Sequence, residues 1–205
     1  MNNGKFISSS LALVVLSGLM TVLFSAGCSD AAAPKAVTGA EPAMAAKRPP
    51  INEEAIKKVL DVPISKLDGS TFKLEDHRGK VLVVDFWGTF CPPCVKQVPE
   101  LIKLNDKYRD RGLVLVGLTA DPKSDQKLVE EFIKKFGVNY QIGYDNNWLS
   151  SAFLKGTEDD SGSPPIPQLF VITRDGRVIE HLVGEQPGRM EYLEKIVNEQ
   201  LGAAR

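Results

Sequence analysis

The sequence predicts an α/β domain with a β-hairpin near its N-terminus and an additional αβ segment in its middle. Two β-rich runs, Leu113–Leu118 and Val81–Phe86, which is apolar except for Asp85, are typical of strands that are buried on both faces. Between them, Pro92–Arg111 carries apolar residues at helical spacing and ends at Gly112. A strand, a helix and a second strand in this order predict a parallel pair joined by a right-handed crossover.

The segments before the first buried strand predict a short helix and the hairpin. Ile51–Leu60 has apolar residues on one side of a helix. Pro63–Leu67 and Thr71–Leu74 flank Asp68-Gly69-Ser70, a combination that favours a tight turn between two strands.

The segments after the second buried strand predict the αβ insertion and an antiparallel end to the sheet. For the insertion we expect a helix, a strand and a short helix at Ser124–Phe136, Tyr140–Tyr144 and Trp148–Leu154. Asp175-Gly176 then predicts a turn between the strands Leu169–Thr173 and Arg177–Val183. The last predicted element is an amphipathic helix, Arg189–Leu201.

The composition limits both the size of the folded part and its chemistry. The chain has 205 residues, enough for one domain with appendages. Its 25 basic and 26 acidic residues give a net charge of −1, which argues against a nucleic-acid-binding protein. Three cysteines and two histidines supply neither a disulfide scaffold nor a four-ligand zinc site, so we expect no metal. Because the number of cysteines is odd, one of them must have a different role from the other two.

The first 50 residues differ from the rest of the chain. Residues 1–29 contain no acid and one base, and Leu11–Phe24 is mostly apolar. This run is short for a spanning helix, which needs about 20 residues. A basic start, an apolar run and small residues predict a signal peptide over residues 1–27. Eight of residues 29–50 are Ala and four are Pro, which predicts a disordered tether over 28–50 and a folded domain over 51–205.

Cys28 directly follows Ala26-Gly27. This arrangement resembles the lipobox of bacterial lipoproteins, although Ser25 stands where that motif usually has Leu. The resemblance implies that Cys28 carries a lipid and anchors the protein to a membrane. A soluble secreted protein and an uncleaved anchor are the alternatives.

The chemistry of the chain is expected at Cys91-Pro92-Pro93-Cys94, which follows a buried strand and opens a helix. The positive end of a helix dipole favours a thiolate, and the thiolate is the nucleophile of disulfide exchange. We expect Cys91 to be exposed and to attack, and Cys94 to be buried and to resolve. A zinc half-site would require a second ligand pair, and the chain has no other cysteine pair.

The stretch from Asp85 to Cys94, Asp-Phe-Trp-Gly-Thr-Phe-Cys-Pro-Pro-Cys, with Pro99 five residues later, resembles the active-site stretch of the thioredoxin superfamily. The insertion over about 124–154 resembles that of the TlpA/ResA group of membrane-tethered thiol–disulfide oxidoreductases. The resemblance covers about residues 63–201. It implies a thioredoxin-like fold, a redox-active disulfide instead of a cofactor, and a place on the periplasmic side of the bacterial cell envelope.

The resemblance also implies roles for individual residues. Cys91 and Cys94 match the redox pair. Asp85 matches the buried acid of thioredoxin, which handles the proton of the second cysteine, and desolvation should raise its pKa; a purely structural Asp is the alternative. Pro167 matches the cis-proline beside the active site, with Pro164 and Pro165 as plain loop residues. Together with Pro167, we expect Trp87 and Ile166 to bind the substrate.

Several positions depart from the pattern of the group. Phe90 stands where Trp is common, and Gln97 stands where the ResA subgroup has Glu. Gln97 and Asp85 together suggest proton handling closer to that of thioredoxin. The acidic run Glu158-Asp159-Asp160 is interpreted as a solvated turn, with partner docking as the alternative.

Pro92 and Pro93 have no N–H to donate to a Cys91 thiolate. This predicts a reducing couple, nearer to roughly −270 mV than to about −120 mV.

We therefore expect a reductase of protein disulfides outside the cytoplasm. The resemblance implies apocytochrome c as a client and a membrane thiol–disulfide protein as the electron donor. A non-catalytic haem or apocytochrome chaperone that uses the same cleft is the alternative. A peroxiredoxin is disfavoured because Thr89 lies only two residues before Cys91. Metal delivery is disfavoured because the chain lacks a Cys-x-x-x-Cys with a well-placed His.

Overall fold

The computed structural model describes residues 53–155 and 164–203. The predicted signal peptide, Cys28, the tether and the acidic run Glu158–Asp160 lie outside these residues and stay predictions. Within the two described ranges, no helix is long and apolar enough to cross a membrane.

The described elements follow the predicted order with small changes at their ends. The helices are α1 Glu53–Val59, α2 Pro92–Tyr108, α3 Gln126–Phe136, α4 Asn147–Phe153 and α5 Arg189–Gly202. The strands are β1 Ile64–Ser65, β2 Thr71–Phe72, β3 Val81–Trp87, β4 Leu113–Thr119, β5 Gln141–Tyr144, β6 Gln168–Ile172 and β7 Val178–Val183. Short 3-10 turns extend α2 at Arg109–Arg111, precede α3 at Lys123–Asp125 and follow β2 at Leu74–His77.

Five strands form one mixed sheet in the order β5-β4-β3-β6-β7. β3 pairs in parallel with β4, which confirms the predicted strand–helix–strand unit. β6 and β7 are antiparallel, as the Asp175-Gly176 turn predicts, and β6 pairs antiparallel with β3. β3 therefore lies at the centre of the sheet, and all seven of its residues are buried.

The N-terminal hairpin is confirmed as a separate two-stranded sheet of β1 and β2. Its turn is closed by Asp68, whose carboxylate accepts hydrogen bonds from the backbone N–H and the hydroxyl of Ser70 at 2.9 and 2.6 Å. Gly69 has a φ of 81°, a left-handed conformation that glycine adopts without strain.

The sheet is covered on both faces, so alternate side chains of β3 enter two different cores. Leu82, Val84 and Phe86 pack with apolar residues of α1 and α4. Val81 and Val83 pack on the opposite face with residues of α2 and α5. Asp85 falls on this second face by alternation, which places a carboxyl group beneath α2.

Candidate active site

Cys91 and Cys94 form a disulfide at the N-terminus of α2, with their sulfur atoms 2.05 Å apart. Cys91 is the N-cap residue of the helix, and its Sγ accepts a hydrogen bond from the Cys94 N–H at 3.2 Å. Pro92 and Pro93 occupy the first two helical positions and supply no donor there. The Cys94 amide is therefore the first N–H of α2 that can stabilise negative charge on the Cys91 sulfur.

The two cysteines differ in exposure in the predicted order, although both are largely covered. Cys91 is 6% exposed and Cys94 is fully buried. Cys91 is thus the cysteine whose sulfur a substrate can reach, although its exposed fraction is smaller than the sequence predicts.

The Ile166–Pro167 peptide bond is cis, which confirms the predicted position. The Ile166 carbonyl oxygen lies 3.6 Å from the Cys91 Sγ. A disulfide sulfur has no proton, so this is a van der Waals contact in the oxidised form, whereas a Cys91 thiol could donate to the same oxygen. The half-buried Ile166 and the buried Pro167 therefore form one wall beside Cys91.

The cis-proline loop is held from behind by two polar side chains of the sheet. The Gln168 side-chain amide donates to the Pro165 carbonyl at 2.7 Å. The Gln168 Oε1 lies 2.6 Å from the His181 Nε2, and the His181 ring stacks on Phe170 at 4.0 Å between centroids. Sequence reasoning gave neither Gln168 nor His181 a role.

The loop between β3 and α2 is fixed by Asp121, which sequence reasoning also missed. The Asp121 carboxylate accepts from the Thr89 N–H at 2.9 Å and from the Thr89 hydroxyl at 2.6 Å. The Thr119 hydroxyl donates to the same carboxylate. The position of Asp121 in the sequence could have indicated this contact. Asp121 follows β4, and β4 ends at the same edge of the sheet as the parallel strand β3.

Trp87 lies in the interior, 1% exposed, with its ring 5.0 Å from the Phe132 ring of α3. The indole packs with both cysteines in one apolar cluster. The ring presents almost no surface in this structure, and the substrate-binding role expected for Trp87 stays a prediction. Alternation within a strand buried on both faces directed this side chain inwards.

Phe90, by contrast, is 64% exposed and directly precedes Cys91. A side chain at Gly88 would meet the Phe90 ring at 2.7 Å, so Gly88 leaves room for that ring. An exposed aromatic ring next to the reactive sulfur is suited to contact with a protein substrate.

Asp85 is fully buried on β3, and this burial raises the pKa of its carboxyl group from 3.8 to about 7. The Arg189 charge and a hydrogen bond from Gln97 act in the opposite direction. The Gln97 Nε2 donates to the Asp85 Oδ1 at 2.8 Å. Cys94 lies three residues before Gln97 on α2 and therefore on the same helix face as the side chain that contacts Asp85.

Arg189 completes this buried group from α5. Its Nη1 donates to the Gln97 Oε1 at 3.0 Å, and its Nη2 donates to the Leu182 carbonyl at 3.0 Å. Burial lowers the pKa of Arg189 to about 10, so the side chain stays cationic at neutral pH. Sequence reasoning missed Arg189; the signal was a base at the first position of a helix, where the dipole disfavours cations.

Comparison with known proteins is consistent with this arrangement. The redoxin family profile matches residues 44–200. The thiol–disulfide oxidoreductase ResA of Bacillus anthracis is 32% identical over 142 residues, which cover 68% of this chain and 77% of that protein. ResA of Bacillus cereus is 33% identical over 144 residues, with the same shares. A thioredoxin-family thiol:disulfide interchange protein of Chlorobium tepidum has a TM-score of 0.57 and 28% identity, covering 68% of this chain and 92% of that one.

Proposed function

Because this chain belongs to the redoxin family and is a thiol–disulfide oxidoreductase similar to ResA, we propose that it reduces protein disulfides outside the cytoplasm. The observation that carries the proposal is the Cys91–Cys94 disulfide, placed at a helix N-terminus on the sheet face that buries Asp85. The pair supplies the two electrons, and no further cofactor is needed.

In the first step the reduced Cys91 attacks as a thiolate. The positive end of α2 and the Cys94 N–H stabilise the negative charge on its sulfur. A Cys91–client disulfide forms as the client S–S bond breaks, and the leaving client thiolate takes up a proton from solvent.

In the second step Cys94 resolves the mixed disulfide. The ionised Asp85 carboxylate accepts the Cys94 proton, and the Cys94 thiolate attacks the Cys91 sulfur. The Cys91–Cys94 disulfide forms, the second client thiolate leaves, and two electrons have passed to the client. A carboxyl group with a pKa of about 7 suits this role, because it is both available as a base and able to release the proton near neutral pH.

The direction of electron flow follows from the few donors around Cys91. Two prolines remove N–H groups at the first two positions of α2, and the Cys94 N–H remains as the donor in contact with the sulfur. A weakly stabilised thiolate makes the reduced pair a stronger reductant, with an expected potential near roughly −270 mV. A redox titration giving a value above about −180 mV would instead assign the protein to oxidants or isomerases.

The proposed client surface consists of the Ile166 backbone, Pro167 and Phe90, which border Cys91. An extended client segment would pair with the backbone before Pro167, and the Phe90 ring would cover its apolar side chains. We propose apocytochrome c as the client, because its Cys-x-x-Cys-His segment must be reduced before haem attachment, and a membrane thiol–disulfide protein as the donor that restores the reduced pair.

We further propose that the domain, residues 51–205, is tethered by residues 28–50 to a lipid on Cys28 after removal of residues 1–27. The protein would then face the periplasm from a bacterial membrane. Incorporation of labelled palmitate that is lost in Cys28→Ala tests the anchor; equal labelling of both proteins would contradict it.

The reductase proposal is tested by trapping. In Cys94→Ala, the Cys91–client disulfide cannot be resolved, so mixed disulfides released by dithiothreitol should accumulate and can be identified by mass spectrometry. The matched control is Cys91→Ala in the Cys94→Ala background. Absence of trapped clients, together with cellular function that survives Cys91→Ser and Cys94→Ser, would instead support the non-catalytic chaperone.

A further inference from the structure

We propose that Arg189 is a positioning residue that orients the Gln97 amide and thereby determines which oxygen of Asp85 carries the exchanged proton. The inference deepens the proposed function, since it rests on Asp85 as the group that takes the Cys94 proton. It assigns a role to a residue of α5 that is 92 positions away from Gln97 in the chain.

The orientation of the Gln97 amide follows from the donors on either side. A guanidinium group has only donors, so the Gln97 oxygen must face Arg189, as the 3.0 Å contact from its Nη1 requires. The Gln97 NH₂ group is then directed at the Asp85 Oδ1, 2.8 Å away. If Arg189 were absent, the amide could turn over and offer its oxygen to a protonated Asp85.

This orientation distinguishes the two oxygens of Asp85. The Oδ1 accepts from an N–H donor, and a carbonyl oxygen is a better acceptor than an acid hydroxyl oxygen, so this hydrogen bond disfavours protonation of Oδ1. The Oδ2 is buried and has no hydrogen-bond partner within the described part of the chain. The proton of a neutral Asp85 therefore resides on Oδ2, which leaves this oxygen as the one that exchanges with Cys94.

The position of Arg189 is unfavourable for stability alone. It is the first residue of α5, where the helix dipole favours acidic side chains. Its side chain is buried, its Nε is without a partner in the described residues, and the contact from its Nη1 goes to a neutral amide. A buried cation that no carboxylate contacts directly is costly, and natural proteins violate local rules of this kind mainly at functional sites.

Among the groups around Asp85, the Arg189 cation is the charge that favours the ionised carboxylate. From α5 the Arg189 cation lowers the pKa of Asp85, and from α2 the Gln97 hydrogen bond does the same. Cys94 lies on the same face of α2 as Gln97. From the segment before β5, Tyr140 is neutral at ordinary pH, because burial and then the Asp85 charge raise its pKa well above 10.0.

The test compares Arg189→Met with the wild-type full chain. Two quantities are measured: the pKa of Asp85, from its labelled carboxyl carbon by NMR, and the pH profile of mixed-disulfide resolution. Loss of the cation should raise the Asp85 pKa and move the rising limb of the profile to higher pH, with the plateau retained. A tenfold gain in proton affinity would lower the ionised fraction at pH 7 about fivefold. Arg189→Lys retains the charge and should restore most of the pKa, and Lys195→Met, an exposed change on α5, should leave both quantities unchanged.

Asp85 must mediate the effect, so Arg189→Met should not move the pH profile in an Asp85→Asn background. An unchanged Asp85 pKa in Arg189→Met would overturn the inference. If the pKa rises while the profile stays in place, the inference holds and the proposed role of Asp85 in resolution fails. Should Arg189→Met not fold, Gln97→Leu breaks the same link without removing a charge; an unaltered Asp85 pKa in that variant would overturn the inference equally.

Discussion

Replacement of Asp85 by Asn should stabilise the protein at alkaline pH while slowing its reaction. Asn has nearly the shape of Asp and can accept the Gln97 hydrogen bond through its own oxygen. It differs in being neutral at every pH. The variant therefore isolates the cost of placing a negative charge at the buried centre of β3.

The magnitude follows from the raised pKa of Asp85. Between the ordinary value of 3.8 and about 7, the unfolded chain is ionised while the folded protein holds its proton. The folded protein loses stability as the pH rises through this window, and the loss is complete above about 7. The full difference corresponds to about 4 kcal/mol. Because the carboxyl group is fully buried, solvent screening does not reduce this free-energy difference.

The assay is urea unfolding of the oxidised protein from pH 4 to pH 9. The wild type and Asp85→Asn should have similar unfolding free energies near pH 4, and the variant should be more stable by about 4 kcal/mol at pH 9. Asp110→Asn, a change at an exposed acid, is the matched control and should track the wild type throughout. Parallel curves for Asp85→Asn and the wild type across the whole range would refute the reasoning.

The same variant should resolve mixed disulfides more slowly, by about 100-fold at neutral pH, because the base that takes the Cys94 proton is gone. Stopped-flow measurement of resolution would detect this. A more stable variant with an unchanged rate would mean that the buried carboxyl group has no part in proton transfer.

Three further outcomes follow from the contacts of the site. Asp121→Ala should lower the free energy of unfolding, measured by chemical denaturation, by about 3 kcal/mol, because Thr89 and Thr119 lose their shared acceptor. The unfolding free energy of Asp121→Asn should lie between those of the wild type and Asp121→Ala. Phe90→Ala should leave stability within about 0.5 kcal/mol but raise KM for a protein client about tenfold, with no change for a small aromatic disulfide; equal effects on both substrates would exclude a docking role. Pro93→Ala restores an N–H at the second position of α2 and should raise the redox potential by about 30 mV, more than Pro92→Ala does in the same titration.

The order of the elements and the redox pair could be predicted from the sequence because their causes are local. A run such as Val81–Phe86, apolar except for Asp85, forms a buried strand, and the prolines after Cys91 are suited to the first turn of a helix. The burial of Asp85 follows equally from its apolar neighbours in that run. The position of the cis-proline came from the family resemblance rather than from any local property of the three nearby prolines.

The sequence by itself thus determined the α/β order, the helix that begins directly after Cys91 and the burial of Asp85. Tertiary structure alone decided which distant polar groups meet them. Asp121 reaches Thr89 across 32 positions and Arg189 reaches Gln97 across 92, separations at which hydrophobic periodicity carries no information. It also decided that the Trp87 ring is buried while the Phe90 ring remains exposed, because Trp87 ends a strand that is covered on both faces whereas Phe90 lies in the loop that follows it.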